Sequence, residues 1–188
     1  MHRRPFLALL AGTSLPLGAA QNDAALWQRL REGGHVLLMR HAATDPGIGD
    51  PPGFVLERCA SQRNLSDAGR RDARRIGDAL RRRGIPIGEV LSSRWCRCLD
   101  TARLAFGRAE PAPMLDSMFS DEDAHRRGKV AEVQARAGRH TGEANLVLVT
   151  HDINIRALVG ESVAQGDIVV TRPAGTHLET LGVLPAHG

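Results

Sequence analysis

The chain has 188 residues, a length that fits one domain with a core able to hold without metal or a dense disulfide framework. Its 25 Lys plus Arg exceed its 21 Asp plus Glu only slightly. Tyr is absent and Phe is scarce, so neither the charge nor the stacking platforms of a nucleic-acid-binding protein are present.

Arg3 and Arg4 precede an apolar stretch from Phe6 to Leu17, and the small residues Gly18, Ala19 and Ala20 follow. Basic, apolar, then small is the order of a secretory signal. Gly12 and Pro16 interrupt the stretch, which is too short to span a bilayer as a helix. The expected division is a signal peptide over residues 1–20 and a single domain over 21–188. The protein is then periplasmic or secreted, with no transmembrane segment after cleavage near Ala20. Loss of Arg3 and Arg4 reduces the positive excess to +2. Three cysteines remain, Cys59, Cys96 and Cys98. An oxidising compartment favours a bridge from Cys59 to Cys96 or Cys98. Metal is not expected, because Cys96-Arg97-Cys98 lacks His or acidic neighbours at ligand spacing.

Asp23 to Arg31 reads as a short helix with Leu26, Trp27 and Leu30 on one face. Val36 to Arg40 is an apolar run behind a glycine turn, the pattern of a fully buried strand, and it ends in Arg40-His41. Thr44 to Cys59 is a long Pro- and Gly-containing loop, a length usually kept for function. Ser66 caps a helix that closes at Gly84, with Asp67 at its positive end. The arginines on its outer face have Asp72 and Asp78 as local partners and read as a solvated surface. Glu89 to Ser92 reads as a strand and Arg94 to Ala105 as a helix, with Arg94 and Arg97 in its first turn. Ser120 opens another helix, with Asp123 as capping-box partner, running to about Arg139. Asn145 to Thr150 is a second buried strand, ending at His151. A helix over Asp152 to Val159 and strands over Gly166–Thr171 and His177–Leu184 complete the chain. Alternating strands and helices predict a single-domain, three-layer α/β/α sandwich with a mostly parallel central sheet.

Ligands of such sheets bind beyond the carboxyl ends of the strands. If the strands ending at His41, His151 and Ser92 are neighbours, two imidazoles and two or three guanidiniums meet in one crevice. Arginines repel a metal cation but stabilise a transferring phosphoryl group, which a neutral imidazole can attack directly.

These segments resemble the histidine phosphatase superfamily, the phosphoglycerate-mutase-like group, in its small branch. The family's Arg-His-Gly-x-Thr is Arg40-His41-Ala42-Ala43-Thr44 here, with Ala42 replacing glycine. Its Leu-Thr/Ser-x-x-Gly helix start is Leu65-Ser66-Asp67-Ala68-Gly69. Its Ser-Ser-x-x-x-Arg-x-x-x-Thr-Ala block runs from Ser92 to Ala102, and Val149-Thr150-His151 with Ile155-Arg156-Ala157-Leu158 forms the last. The resemblance implies His41 as phosphorylated nucleophile. Arg40, Arg97 and His151 would be phosphate ligands, with His151 also catalytic, and Thr44 an orienting residue. Arg94 falls where the family varies and is a candidate for specificity only. The general acid is expected among Asp116, Asp121, Glu122 and Asp123; Asp121 is preferred and Glu122 is the alternative.

The implied activity is metal- and cofactor-independent hydrolysis of phosphomonoesters through a phosphohistidine. The partner would be a phosphorylated small molecule, an envelope glycolipid or a phosphoprotein, and no nucleic acid. The alternative is a non-catalytic or weakly active binder of phosphorylated envelope components using the same anion pocket.

Overall fold

The computed structural model describes residues 17–186, and the segment read as a signal lies, up to residue 16, outside them. In chain order the elements are α1 (Leu17–Glu32), β1 (Val36–Arg40), α2 (Asp67–Arg82), β2 (Ile87–Ser92), α3 (Cys96–Phe106) and β3 (Glu110–Pro111). They continue with α4 (Asp123–Gly138), β4 (Asn145–Thr150), α5 (Asp152–Val159), β5 (Ile168–Ala174) and β6 (His177–Leu184).

One six-stranded sheet carries the domain in the order β3-β2-β4-β1-β5-β6. The four strands β3, β2, β4 and β1 run parallel, while β5 is antiparallel to β1 and β6 is antiparallel to β5. β1 and β4 sit at its centre, paired from Val36–Leu146 to Arg40–Thr150. Their apolar runs are covered on both faces, as unbroken hydrophobic strands require. Leu37, Met39, Val147 and Val149 pack with Leu26 and Leu30 of α1, Ile76 and Leu80 of α2 and Ala102 of α3. Val36, Leu38, Leu146 and Leu148 pack on the other side with Val133 and Ala137 of α4 and Ile155 and Leu158 of α5. This alternation makes the expected three layers.

The α2 start follows its sequence signal. Ser66 Oγ accepts from the Gly69 amide at 3.1 Å, satisfying one orphan donor of the first turn. The Ser66 amide donates to the Ala43 carbonyl at 3.0 Å, so the cap also anchors the segment after β1. A Cβ on Gly69 would lie 1.9 Å from that carbonyl oxygen, so only glycine lets α2 approach it. The exposed face of α2 is laced by Arg70–Asp67, Arg75–Asp72 and Arg81–Asp78 ion pairs, as a solvated surface would be.

Several boundaries differ from expectation. α1 begins earlier, because Leu-Gly-Ala-Ala-Gln continues the helical stretch upstream of Asp23. α3 begins at Cys96, not Arg94, since the Arg94 amide and guanidinium are both held by Asp116 outside the helix. α4 has Glu122 as N-cap and no side-chain cap. The Asp121 amide closes a turn onto the Met118 carbonyl, which keeps Ser120 out of the capping position. Among the described residues no helix is long and apolar enough to cross a membrane.

Candidate active site

Three parallel strands deliver their carboxyl ends to one place. His41 follows β1, His151 follows β4, and the turn after β2 leads into the first turn of α3, which holds Arg97. The His41 amide donates to the Thr150 carbonyl at 3.0 Å, and the two imidazoles meet edge-to-face with centroids 5.5 Å apart. Thr101 ties α3 to this corner: its hydroxyl accepts from the Ala42 amide at 3.0 Å and donates to the Arg97 carbonyl at 2.7 Å. The Ala42 side chain is fully buried with Leu65 and Ala73, so the methyl that departs from the family's glycine is absorbed by packing against α2.

His41 is 3% exposed. Its Nδ1 lies 2.9 Å from the Ala42 carbonyl oxygen, which can only accept, so the ring proton sits on Nδ1 and the lone pair on Nε2. Burial, reinforced by Arg97, Arg40 and Arg63, pushes its pKa down from 6.5 to about 3, against the carbonyl contact that favours the cation. The imidazole is therefore neutral across the physiological range. His151 is shifted the same way, first by burial and then by His41, Arg97, Lys129 and Arg40. Its Nε2 lies 2.9 Å from Ser93 Oγ, which in turn donates to Asp116 Oδ1 at 3.4 Å.

The guanidiniums share one arrangement. Arg40 is held at Nη1 by the Val163 carbonyl and, at 3.8 Å, by Asp152. Arg63 donates from Nη1 to the Gly47 carbonyl, and Arg97 donates from Nη1 to Asp50 Oδ1 at 2.7 Å. The Nε atoms of all three are buried without a protein partner. A buried donor left unpaired costs about 1–3 kcal/mol. Three such donors, whose charges all act on His41, make a cradle that an oxyanion would satisfy.

Arg40, His41, Arg97 and His151 are thus brought together as expected, and three further residues join them. Arg63 precedes α2 in a segment without periodicity, and only its position before the Asn-Leu-Ser cap could have marked it. Asp50 lies in the long loop; its carboxylate accepts from Arg97, from the Arg63 amide at 2.9 Å and from Trp95 Nε1 at 2.8 Å. Ser93 stood in the family block without an assigned role.

Other expected residues are engaged elsewhere. The Thr44 hydroxyl accepts from Gln165 Nε2 at 3.2 Å and makes no hydrogen bond to either histidine. Arg94 is paired with buried Asp116 at 2.6 Å. Asp121 forms an ion pair with Lys129 at 2.7 Å, and Glu122 is exposed. No hydrogen bond or ion pair joins either acid to the histidines. Cys59 bridges Cys96, which fastens the end of the long loop beside Arg97, and Cys98 is buried and free. Among the described residues no group of three or more His, Cys, Asp and Glu side chains is arranged to hold a metal ion.

A neutral imidazole with a free Nε2, ringed by guanidiniums at the mouth of a mostly parallel sheet, defines an α/β protein built to engage a phosphoryl group. The profile described as histidine phosphatase superfamily (branch 1) matches residues 36–124, a span that contains Arg40, His41, Arg63 and Arg97. Over those residues the chain is similar to that superfamily. Among solved structures it resembles the protein histidine phosphatase SixA complexed with tungstate, at 18% identity over 81% of this chain and 97% of that one, with a TM-score of 0.60. The product of open reading frame Rv3214 from Mycobacterium tuberculosis aligns at 18% identity over 81% and 98%, with a TM-score of 0.63. Phosphoserine phosphatase from Entamoeba histolytica aligns at 14% identity over 79% and 95%, with a TM-score of 0.61. Likeness at these identities carries the fold. No curated protein sequence matches the chain.

Two outcomes follow from the electrostatics. A histidine whose folded pKa lies below its unfolded value is penalised as pH falls, because the unfolded chain takes up the proton first. Ring resonances of His41 should stay constant from pH 8 to about 5, while thermal stability declines as pH drops below the ordinary histidine value of about 6.5. A His41 midpoint near 6.5 would contradict the assignment. The Arg63→Gln substitution removes one charge-assisted donor, about 1.5–3 kcal/mol, and should weaken orthophosphate binding about 10- to 150-fold by calorimetry. Unchanged affinity would remove Arg63 from the site.

Proposed function

We propose that this protein is a metal-independent phosphatase that hydrolyses phosphomonoesters through a phosphohistidine on His41. The observation that carries the reading is the conjunction of a neutral His41, lone pair on Nε2, with three guanidiniums whose buried Nε donors lack protein partners. In the first step the Nε2 lone pair attacks phosphorus, and the P–O bond to the alcohol breaks with its electron pair moving onto the departing oxygen. The arginines neutralise charge on the three equatorial oxygens throughout. Water then attacks the phosphohistidine, which releases orthophosphate and restores the imidazole. His151, held at Nε2 by Ser93, is positioned to bind the same phosphoryl group.

The departing oxygen needs a proton, and Asp121 is proposed as its source. Support comes from Lys129, whose charge acts on His151 and which holds Asp121 at 2.7 Å. The same ion pair favours a second reading. With Asp121 engaged and no other carboxyl bonded to the histidines, the pocket would bind phosphorylated envelope components and turn them over poorly. Export to the periplasm or medium is part of the proposal. It rests on the order of residues 1–20 and is supported by the Cys59–Cys96 bridge, which an oxidising compartment favours.

The test is hydrolysis of an aryl phosphate with EDTA present, beside His41→Ala. Activity should survive the chelator and vanish with His41; loss to EDTA would point to a metal site instead. Asp121→Asn should slow alkyl phosphates by about 10²–10⁴ while sparing aryl esters, whose leaving groups need little protonation. Orthophosphate binding without turnover of either ester would favour the second reading.

A further inference from the structure

Few large apolar side chains are left in water. Among the described residues those exposed are Ile48 (93%), Phe54 (37%), Val55 (38%) and Phe119 (64%). Three lie in the loop between β1 and α2, which leaves directly from His41, and Phe119 lies in the segment between Asp116 and Asp121. Apolar side chains exposed on segments that lead from a pocket are candidates for contact with what the pocket binds.

One of them continues into the phosphate pocket through a line of rings. Phe54 lies 5.9 Å from Trp95, centroid to centroid, at a tilted 44°. Trp95 lies 5.6 Å from His151 at 82°, and His151 lies 5.5 Å from His41. The line therefore runs from solvent to the nucleophile. Its middle member is fixed: the indole Nε1 donates to Asp50 Oδ2 at 2.8 Å, while Oδ1 of the same carboxylate accepts from Arg97. The loop carrying Phe54 is fastened as well. The Phe54 amide bonds the Pro51 carbonyl at 3.1 Å, Ser61 Oγ accepts from the Val55 amide at 2.9 Å, and the bridge to Cys96 ends the loop one residue from Trp95. A ring platform built on the carboxylate that grips a phosphate-site arginine is pre-organised with respect to the phosphoryl group.

We infer that the site takes phosphomonoesters whose alcohol carries a flat apolar ring, which lies on Phe54 and Trp95 while the phosphoryl group sits among Arg40, Arg63 and Arg97. This rests on the phosphatase reading above and names its substrate class. A polyol phosphate gains nothing from the platform, whereas a ring buries apolar area and stacks edge or face against Phe54.

The experiment compares 2-phenylethyl phosphate with glycerol 1-phosphate. Both are primary alkyl esters, so leaving-group acidity does not decide between them. Wild-type protein should prefer the ring ester in kcat/KM by about tenfold or more. Phe54→Ser should erase most of that preference, mainly through KM, and leave glycerol phosphate within about twofold; Phe54→Leu should restore part of it. A preference unchanged by Phe54→Ser, or an equal loss for both esters, overturns the platform. Calorimetry with 2-phenylethylphosphonate and methylphosphonate reads the same preference without turnover. If neither ester is hydrolysed but the phosphonate preference depends on Phe54, the catalytic reading fails and the platform stands. If the phosphonates bind alike, the platform fails whatever the activity.

Discussion

An imidazole that stays neutral while surrounded by three guanidiniums is the constraint on which the rest of the structure depends. Burial and like-signed neighbours together deny His41 a second ring proton, and the Ala42 carbonyl fixes the tautomer that leaves Nε2 free. The cost is concentrated positive charge and three unpaired buried donors. Only an anion relieves both at once, so the pocket is strained in a way that a phosphoryl group reverses. The partial compensations seen here follow the same logic. Asp152 and Asp50 each take Nη1 of one arginine and leave its Nε unpaired.

The scaffold exists to hold that arrangement. β1 and β4 run parallel in the middle of the sheet, so both histidines emerge at the same edge, and Thr101 fastens α3 to the residue after His41. Gly69 lets α2 press against the Ala43 carbonyl, and Asn154 holds the segment containing Asp116 through the Asp116 carbonyl at 2.9 Å. The long loop closes the other side through Asp50 and the Cys59–Cys96 bridge. Phosphate chemistry and the apolar platform are thus coupled through one carboxylate.

Much of this was legible in the chain because burial writes a plain pattern. β4 and α5 fall where the apolar run and its flanking histidine place them, and Ser66 caps α2 through its own side chain. The family blocks located Arg40, His41, Arg97 and His151. Arg63 and Asp50 were not legible, because their roles come from loop contacts across tens of residues and leave no periodicity behind. The α4 start misled for a related reason. Ser120 and Asp123 have capping-box chemistry, but the turn from Met118 to Asp121 decides where the helix can begin. Arg94 likewise reads as helical by spacing, yet buried Asp116 captures it.

The central claim is a covalent phosphohistidine at His41, and trapping it is the most direct measurement. Protein mixed with radiolabelled phosphomonoester and quenched within milliseconds in alkali should carry label that is acid-labile and alkali-stable. Proteolysis should place that label on the peptide containing His41, and His41→Ala should carry none. Turnover without any trapped label, or label retained in His41→Ala, would contradict the account.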